Sequence, residues 1–324
     1  MSYMARVFPP ARALERLPIS RDQLMLLMAA VNEIFLSVDI YLAHSISGSI
    51  RTYEWIPIVF GVTAGIILLL AGVIALSNRP LATILANLTF LGSIIVGGLG
   101  IYCHLQRTTL LTGAGENFGQ ATNALVWAPP FLGPLFFALV GVLGISAAWV
   151  EAPPESGRLR LLGTRTIQMP YSKTRAYFLI VALFVLATLI SSVLDHSRFN
   201  LRSAWVWLPI AAGLFALGTC LALGFINRPS QGDLMVYAVS MLLLILVGLI
   251  GWGLHVNTTL APRGIIVVER FIRGSPFLAP LLFANVGLLG LLVLLDPAEK
   301  GQQPHPPTPS PKRGEGNRRT AARL

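Results

Sequence analysis

The chain of 324 residues is too apolar for an ordinary soluble domain, because 54% of its residues are hydrophobic, 12% are charged and its mean hydropathy is +0.70. Its net charge of +10 comes mostly from basic residues in predicted loops and in the tail, so the charge gives no reason to propose nucleic-acid binding. We therefore expect the protein to lie in a lipid bilayer.

Eight apolar segments of about 20 residues, the length that crosses a bilayer, follow one another along the chain. They cover residues 24–44, 56–76, 82–103, 127–149, 177–195, 206–226, 235–254 and 276–295. An all-α integral membrane protein with eight transmembrane helices is the fold that they predict. A basic N-terminus (1–23) precedes them, a basic linker (151–175) divides them, and a Pro-rich basic tail (297–324) follows, for which we expect disorder.

The first four segments and the last four carry the same motifs in the same order. His44 and His196 are each followed by serine and, eleven residues on, by Trp-Ile-Pro-Ile or Trp-Leu-Pro-Ile. Asn-Arg-Pro, a glycine four residues before a histidine, and Pro-Phe-Leu-x-Pro then recur in turn. This pattern indicates an internal duplication, with a first copy at 24–150 and a second copy at 176–296. Since four crossings is an even number, the copies form two parallel repeats of the same orientation.

The distribution of lysine and arginine predicts the orientation, because cytoplasmic loops carry the excess of these residues. With the N-terminus inside, seven of the 24 basic residues fall in outer loops: Arg51, Arg107, Arg198, Arg202, Arg263, Arg270 and Arg273. Both termini are therefore predicted to be cytoplasmic, and the protein to be a multi-pass protein of the plasma (inner) membrane. Tyrosines and tryptophans fall near the opposite, outer interface, as an aromatic belt does.

Four of the five histidines occupy corresponding places in the two copies, and the fifth lies in the tail. His44 and His104 end the first and third segments, and His196 and His255 end the fifth and seventh. Since these segments run in the same direction, the two histidines of each copy should meet near the outer face. Facing histidines on two helices of a bundle can hold a haem b or a transition metal such as copper or zinc. The alternative is that each histidine only caps a helix end.

Small and basic residues next to these histidines favour haem. Gly97 and Gly100 in the first copy, like Gly248 and Gly251 in the second, leave a strip without side chains below the third-segment histidine. A flat macrocycle needs such a strip, but so does close helix packing. Arg51 and Arg202, which follow the first histidine of each copy, could pair with propionates or with lipid phosphate.

The first segment also carries ionisable residues that the second copy lacks. One face presents four side chains in steps of four, four and three residues: Glu33, Ser37, Tyr41 and His44. Such a face could relay protons between Glu33 and the outer histidine, with Asp39 as a second carboxylate. The alternative is that Asn32 and Asp39 form hydrogen bonds across the seam between the two copies.

Three functions compete on these residues. The first is a membrane redox or metal-handling subunit that exchanges electrons with quinone or with an extracytoplasmic redox or metal partner. The second is a proton-coupled or ion-coupled transporter that uses Glu33 and Asp39. The third is a structural membrane anchor of a larger complex. We favour the first because the histidines recur in both copies.

Overall fold

The computed structural model describes residues 2–16, 19–46, 48–106, 118–127, 130–161, 165–260 and 266–295. The predicted tail at 297–324 and parts of the two long loops that were predicted to be outer, at 107–117 and 261–265, lie outside the described residues. The described chain is mostly helical. Its helices are α1 (Tyr3–Val7), α2 (Arg21–Ser45), α3 (Trp55–Ile74), α4 (Arg79–Gln106), α5 (Phe118–Trp127), α6 (Leu132–Ala148), α7 (Lys173–Ser197), α8 (Ala204–Phe225), α9 (Gln231–Thr259), α10 (Val268–Arg273) and α11 (Leu281–Val293).

Six of these helices are long and apolar enough to cross a membrane, namely α2, α3, α4, α7, α8 and α9. The other two predicted segments form shorter apolar helices, α6 with 17 residues and α11 with 13. At 1.5 Å per residue these are about 26 and 20 Å long, which is less than the roughly 30 Å of hydrocarbon in a bilayer. Prolines at 130 and 134, and at 276 and 280, lie at or before the first turns of these two helices.

Three of the long helices begin a turn earlier than the apolar pattern predicts, because a serine caps each of them. The Ser20 hydroxyl accepts from the Gln23 backbone, and the Gln23 side chain accepts from the Ser20 backbone in return. Ser230 and Asp233 form the same reciprocal pair at α9, and Ser172 caps α7. The added first turns therefore bring charged residues, Arg21 and Lys173 among them, into the helices.

The long and short helices pack as two sets of four with the same order of neighbours. In the first set α2 contacts α3, α3 contacts α4, α4 contacts α6, and α6 contacts α2; in the second, α7, α8, α9 and α11 make the corresponding contacts. The sets meet where α2 and α7 both contact α6 and α11. At this seam the Phe136 and Phe184 rings lie 6.1 Å apart between centroids.

Contacts at the helix termini define two ends of the molecule. At the end that we call the histidine end, the α4 terminus lies beside Pro130, and the α9 terminus lies beside Pro276. At the opposite end, the linker end, the first turns of α2 and α7 meet each other. The N-terminal α1 lies at this end too, since the Met4 backbone N–H donates to the Leu294 carbonyl over 2.8 Å.

The linker forms a small antiparallel sheet over the linker end. Its strands are β1 (Val150–Glu151), β2 (Arg158–Arg160) and β3 (Thr166–Gln168), in the order β1-β2-β3. Val150 pairs with Arg160, and Arg158 pairs with Gln168. The linker is therefore folded against the helices, whereas the sequence predicted only a charged stretch at lipid headgroups.

The outward faces of α3, α4, α8 and α9 are lined by exposed aliphatic side chains, as lipid-facing helices require. The aromatic residues predicted for the outer interface are all exposed: Tyr41, Tyr53, Trp55, Tyr102, Trp127, Trp205, Trp207 and Trp252. Their rings therefore point away from the helix bundles, which supports the belt interpretation.

Candidate functional site

The structure brings each predicted pair of histidines together at the histidine end. His44 lies in the last turn of α2, and His104 lies in the last turn of α4. Their ring centroids are 5.9 Å apart, and those of His196 and His255 are 6.3 Å apart. The two pairs thus have nearly the same spacing, although they lie on different helices.

The ring nitrogen Nδ1 of each histidine contacts an oxygen atom. His104 Nδ1 lies 3.0 Å from the Pro130 carbonyl, and His255 Nδ1 lies 3.1 Å from the corresponding Pro276 carbonyl. His196 Nδ1 lies 2.8 Å from the Ser192 carbonyl. A carbonyl oxygen only accepts hydrogen bonds, so these three rings carry a proton on Nδ1, and the lone pair of the neutral ring is on Nε2.

The fourth ring has a carboxylate as its partner. His44 Nδ1 lies 3.1 Å from Glu54 Oε2, and the Glu54 side chain is 8% exposed. Metal-binding histidines commonly donate their second ring nitrogen to a carboxylate or a backbone carbonyl, which fixes the tautomer and the ring orientation. All four rings have the hydrogen-bonding partner that this arrangement requires. The same partners would also hold a histidine that has no ligand.

The predicted glycine strips are covered by neighbouring helices. A methyl group at Gly97 would lie 2.6 Å from the Ala138 backbone nitrogen, and one at Gly248 would lie 2.5 Å from the corresponding nitrogen of Ala284. A methyl group at Gly100 would lie 2.6 Å from the Pro134 side chain, and one at Gly251 would lie 3.0 Å from the Pro280 side chain. These glycines therefore allow α6 and α11 to approach α4 and α9 closely, which is the packing role and not a surface open to a macrocycle.

The two arginines predicted near the histidines have different surroundings. The Arg51 guanidinium is exposed and lies 3.2 Å from the Tyr53 hydroxyl. Arg202 lines a cavity of about 460 Å³ that also reaches His196 and Arg198. The structure therefore places a basic cavity beside the first histidine of the second copy.

Glu33 and Asp39 are in different environments. Glu33 is fully buried, and its Oε1 accepts a hydrogen bond of 2.6 Å from Ser93 on α4, whereas its Oε2 has no hydrogen-bonding partner among the described residues. Asp39 is half-buried, close enough to Asp195 on α7 for their charges to interact.

The proposed relay along α2 is not a continuous chain of hydrogen bonds. Ser37 donates to the Ile58 carbonyl, and Tyr41 is exposed beside Trp55. The alternative for Asn32 is confirmed, because Asn285 Nδ2 of the second copy donates to Asn32 Oδ1 over 2.7 Å.

The sequence did not predict a buried polar cluster at the linker end. Lys173 is 3% exposed, and its ammonium group donates to Asp22 over 2.5 Å and to the Trp149 carbonyl. Asp22 also accepts from the Tyr177 hydroxyl at 2.8 Å. These contacts join the first turn of α2 to that of α7, and so join the two copies.

Arg21 and Glu151 complete this cluster. Arg21 is 1% exposed, donates to Thr174 over 2.8 Å and lies over the Tyr177 ring at 4.9 Å. Glu151 of the linker accepts from the backbone N–H groups of Lys173 and Gly157, at 3.0 and 2.6 Å. Charged residues at two serine-capped helix starts were visible in the sequence, but their pairing across about 150 residues was not.

Within the described residues, no three His, Cys, Asp or Glu side chains lie close enough together to hold a metal ion. Each histidine pair therefore supplies two ligands to any group that it binds. No protein-family model matches the chain, and neither a curated protein nor a solved structure matches it.

Proposed function

We propose that the protein is a membrane redox or metal-handling subunit that binds haem b or a transition metal through His44 with His104 and through His196 with His255. The observation that carries this proposal is the paired geometry: in each copy two imidazoles meet, and each has an oxygen partner at Nδ1 that suits a ligand histidine.

The number of ligands favours haem over a small ion. Closed sites for zinc usually have four protein ligands, and catalytic zinc sites usually have three. Haem in an electron-transfer protein takes two axial ligands, and histidine is one of the residues that supply them. Two imidazoles per copy match that requirement. The glycine strips no longer support haem, since helices cover them.

The position of the pairs limits the reaction. Both lie at the histidine end, so they do not by themselves form an electron path across the membrane. Exchange with quinone or with an extracytoplasmic redox or metal partner is the function that fits this position. Glu54 would orient His44 as a carboxylate partner of a ligand imidazole.

The experiment that tests this proposal compares two double variants. Full-length protein is purified with His44→Ala and His104→Ala, and separately with His196→Ala and His255→Ala. We expect each double variant to lose about half of the haem or metal per chain. Tyr102→Phe, an exposed neighbour of His104 on α4, is the control and should keep all of it. Unchanged content in both double variants, with the helical circular dichroism of the parent, would overturn the proposal.

We also propose that α6 and α11 complete a set of eight spans, arranged as two parallel repeats with both termini in the cytoplasm. Three contacts support this arrangement: Lys173 with Asp22, Met4 with Leu294, and Arg21 with Thr174. They hold the N-terminal segment, the linker and the end of α11 at one end of the molecule. The basic linker would then be cytoplasmic, as positive loops usually are.

The position of the linker distinguishes eight spans from six. If α6 does not cross the membrane, the linker lies outside; if it crosses, the linker lies inside. In a variant without Cys103 and Cys220, Gln168→Cys places a single thiol on the exposed β3 strand. A membrane-impermeant maleimide should label it only after cell lysis. Asn200→Cys at the histidine end is the control, which should react in intact cells. Labelling of Gln168→Cys in intact cells would contradict eight spans.

A second function, proton-coupled or ion-coupled transport, is favoured by one observation. Glu33 is fully buried inside the first copy, and no residue in the described part of the chain pairs with its Oε2. Ionisable groups at such depth are functional candidates. With a membrane potential across proteoliposomes, proton uptake that is present in the parent and absent in Glu33→Gln would support this function. Equal uptake in both would exclude a role for Glu33, and the same test applies to Asp39→Asn.

A further inference from the structure

The loops that follow the first histidine of each copy have the same length but differ in charge. Counting from His44 and His196, the chain reaches a residue with positive φ four positions on, Gly48 at 78° and Asn200 at 55°. The chain direction therefore changes at the same point in both loops. Side chains at the other loop positions are not equivalent, and their differences change the chemistry of the loop.

Three corresponding positions carry a charge in one loop and an apolar side chain in the other. Ile46 and Ile50 of the first copy are replaced by Arg198 and Arg202 in the second. Conversely, Glu54, which contacts His44 in the first copy, is replaced by Val206. The first loop thus has one arginine, Arg51, and a carboxylate at its histidine, whereas the second loop has two arginines and no carboxylate.

The second loop borders an open cavity of about 460 Å³ at the surface of the protein. Its wall combines Arg198, Arg202 and Ser203 with the apolar side chains of Phe199, Leu201 and Val206. Val206, the residue that replaces the buried glutamate, is part of the wall, so the wall has no carboxylate at that position.

The two arginines of this cavity differ in how they are held. Arg198 Nε donates to the Val126 carbonyl over 2.8 Å, and its Nη2 lies 3.9 Å from Asp195, so this side chain is fixed in place. Arg202 makes no hydrogen bond or ion pair with any residue in the described part of the chain. One guanidinium is thus positioned by the protein, and the other is available to a ligand.

The helix that begins at the cavity adds positive potential. Ser203 is the N-cap of α8, but its side chain makes no capping hydrogen bond. The Val206 backbone N–H donates to the Ser203 carbonyl over 3.1 Å, but the Ser203 hydroxyl satisfies no N–H group, and the helix dipole places partial positive charge at this point. Guanidinium groups and an uncapped helix start at one cavity are the donors that bind carboxylates and phosphates.

We propose that this cavity binds a phosphate-type oxyanion at the histidine end, carried either by a phospholipid headgroup or by a small water-soluble molecule. The site belongs to the second copy alone, because the first loop has isoleucines and a glutamate at the corresponding positions. It requires no bound metal, so it goes beyond the redox function and does not depend on it.

Anion binding and retained lipid test the two sources separately. For the soluble source, isothermal titration of the purified full-length protein with inorganic phosphate should show binding that Arg202→Gln weakens by about tenfold or more, the usual effect of losing one charge-assisted hydrogen bond. For the lipid source, the phospholipid phosphorus retained per chain after detergent washing should fall in Arg202→Gln. Phosphatidylglycerol nanodiscs should restore the retained phosphorus in the parent and not in the variant.

Arg51→Gln is the matched control. Arg51 is an exposed arginine in the loop that follows His44 at the histidine end, and it lies outside the cavity. A drop in either readout for Arg202→Gln alone supports the proposal and identifies the source. Equal behaviour of Arg202→Gln and the parent in both readouts, or an equal drop in Arg51→Gln, would overturn it. Since Arg202 is exposed, the variant should fold, which circular dichroism checks.

Discussion

Alanine at Gly97 should destabilise the protein, whereas alanine at its neighbour Gly98 should not. Both residues lie in the interior of α4, more than two turns before its end at Gln106. A methyl group at Gly97 would lie 2.6 Å from the Ala138 backbone nitrogen and 2.8 Å from the Pro134 carbonyl oxygen. A methyl group at Gly98 would meet nothing within 4 Å. The pair of variants therefore separates helix packing from helix propensity.

The size of the effect follows from two opposing terms. Ordinary contact begins near 3.4 Å, so the Gly97 methyl overlaps rigid backbone atoms that a side-chain rotation cannot move away. Overpacking of this kind costs about 1–3 kcal/mol. Replacing glycine by alanine inside a helix offsets roughly 0.5–1 kcal/mol of that cost. Both variants gain this helix propensity equally, so it cancels when they are compared. We therefore expect Gly97→Ala to be about 2 kcal/mol less stable than Gly98→Ala, the middle of the overpacking range.

Reversible unfolding in mixed dodecyl sulfate and mild detergent, followed by circular dichroism at 222 nm (about the helical minimum), measures this difference. The second copy offers an independent repeat, because a methyl at Gly248 would lie 2.5 Å from the Ala284 nitrogen, whereas Gly253 faces open space. Equal free energies of unfolding for Gly97→Ala and Gly98→Ala would refute the close approach of α4 to α6.

Three further substitutions test individual contacts. Two of these contacts join the two copies, and the third lies inside the first copy. Lys173→Met should lower the free energy of unfolding by about 1.5–3 kcal/mol, since it removes a charged hydrogen bond to Asp22; a double-mutant cycle with Asp22→Asn should show the two losses to be coupled, and additive losses would contradict the contact. Asn285→Ala should cost about 0.6–1.7 kcal/mol by the same unfolding measurement, and no change would argue against the hydrogen bond to Asn32. Glu33→Gln should lower the free energy of unfolding by about 1–3 kcal/mol, because the amide NH2 takes the place of the buried Oε2, for which the described residues supply no partner; an unchanged free energy would argue against that burial.

The apolar pattern predicted where the helices lie, but not where they begin. It placed the starts of α2 and α7 at 24 and 177, whereas the helices begin at Arg21 and Lys173. Hydrophobicity stops at the charged first turn, although the helix continues to its serine cap. Ser20 followed three residues later by Gln23 was the sequence signal for the earlier start.

The sequence predicted the meeting of the histidines, but it did not predict the role of the glycines or the contact between Lys173 and Asp22. Histidines at corresponding places in parallel helices were expected to meet, and the rings do meet. The glycines near them fit two interpretations equally, and only the position of Ala138 against Gly97 distinguishes packing from an open strip. The contact of Lys173 with Asp22 depends on how the copies face each other, which periodicity within one helix does not contain.

Whether the paired histidines bind a redox group is tested most directly by one measurement on the full-length protein. Its absorption spectrum is recorded oxidised and then reduced with dithionite, on a sample whose metal content is determined in parallel. We expect either a Soret band with sharper visible bands after reduction, which would establish haem, or a transition metal in a fixed ratio to the chain. A folded protein that is colourless and free of metal would contradict the account, and it would leave transport or membrane anchoring as the function to pursue.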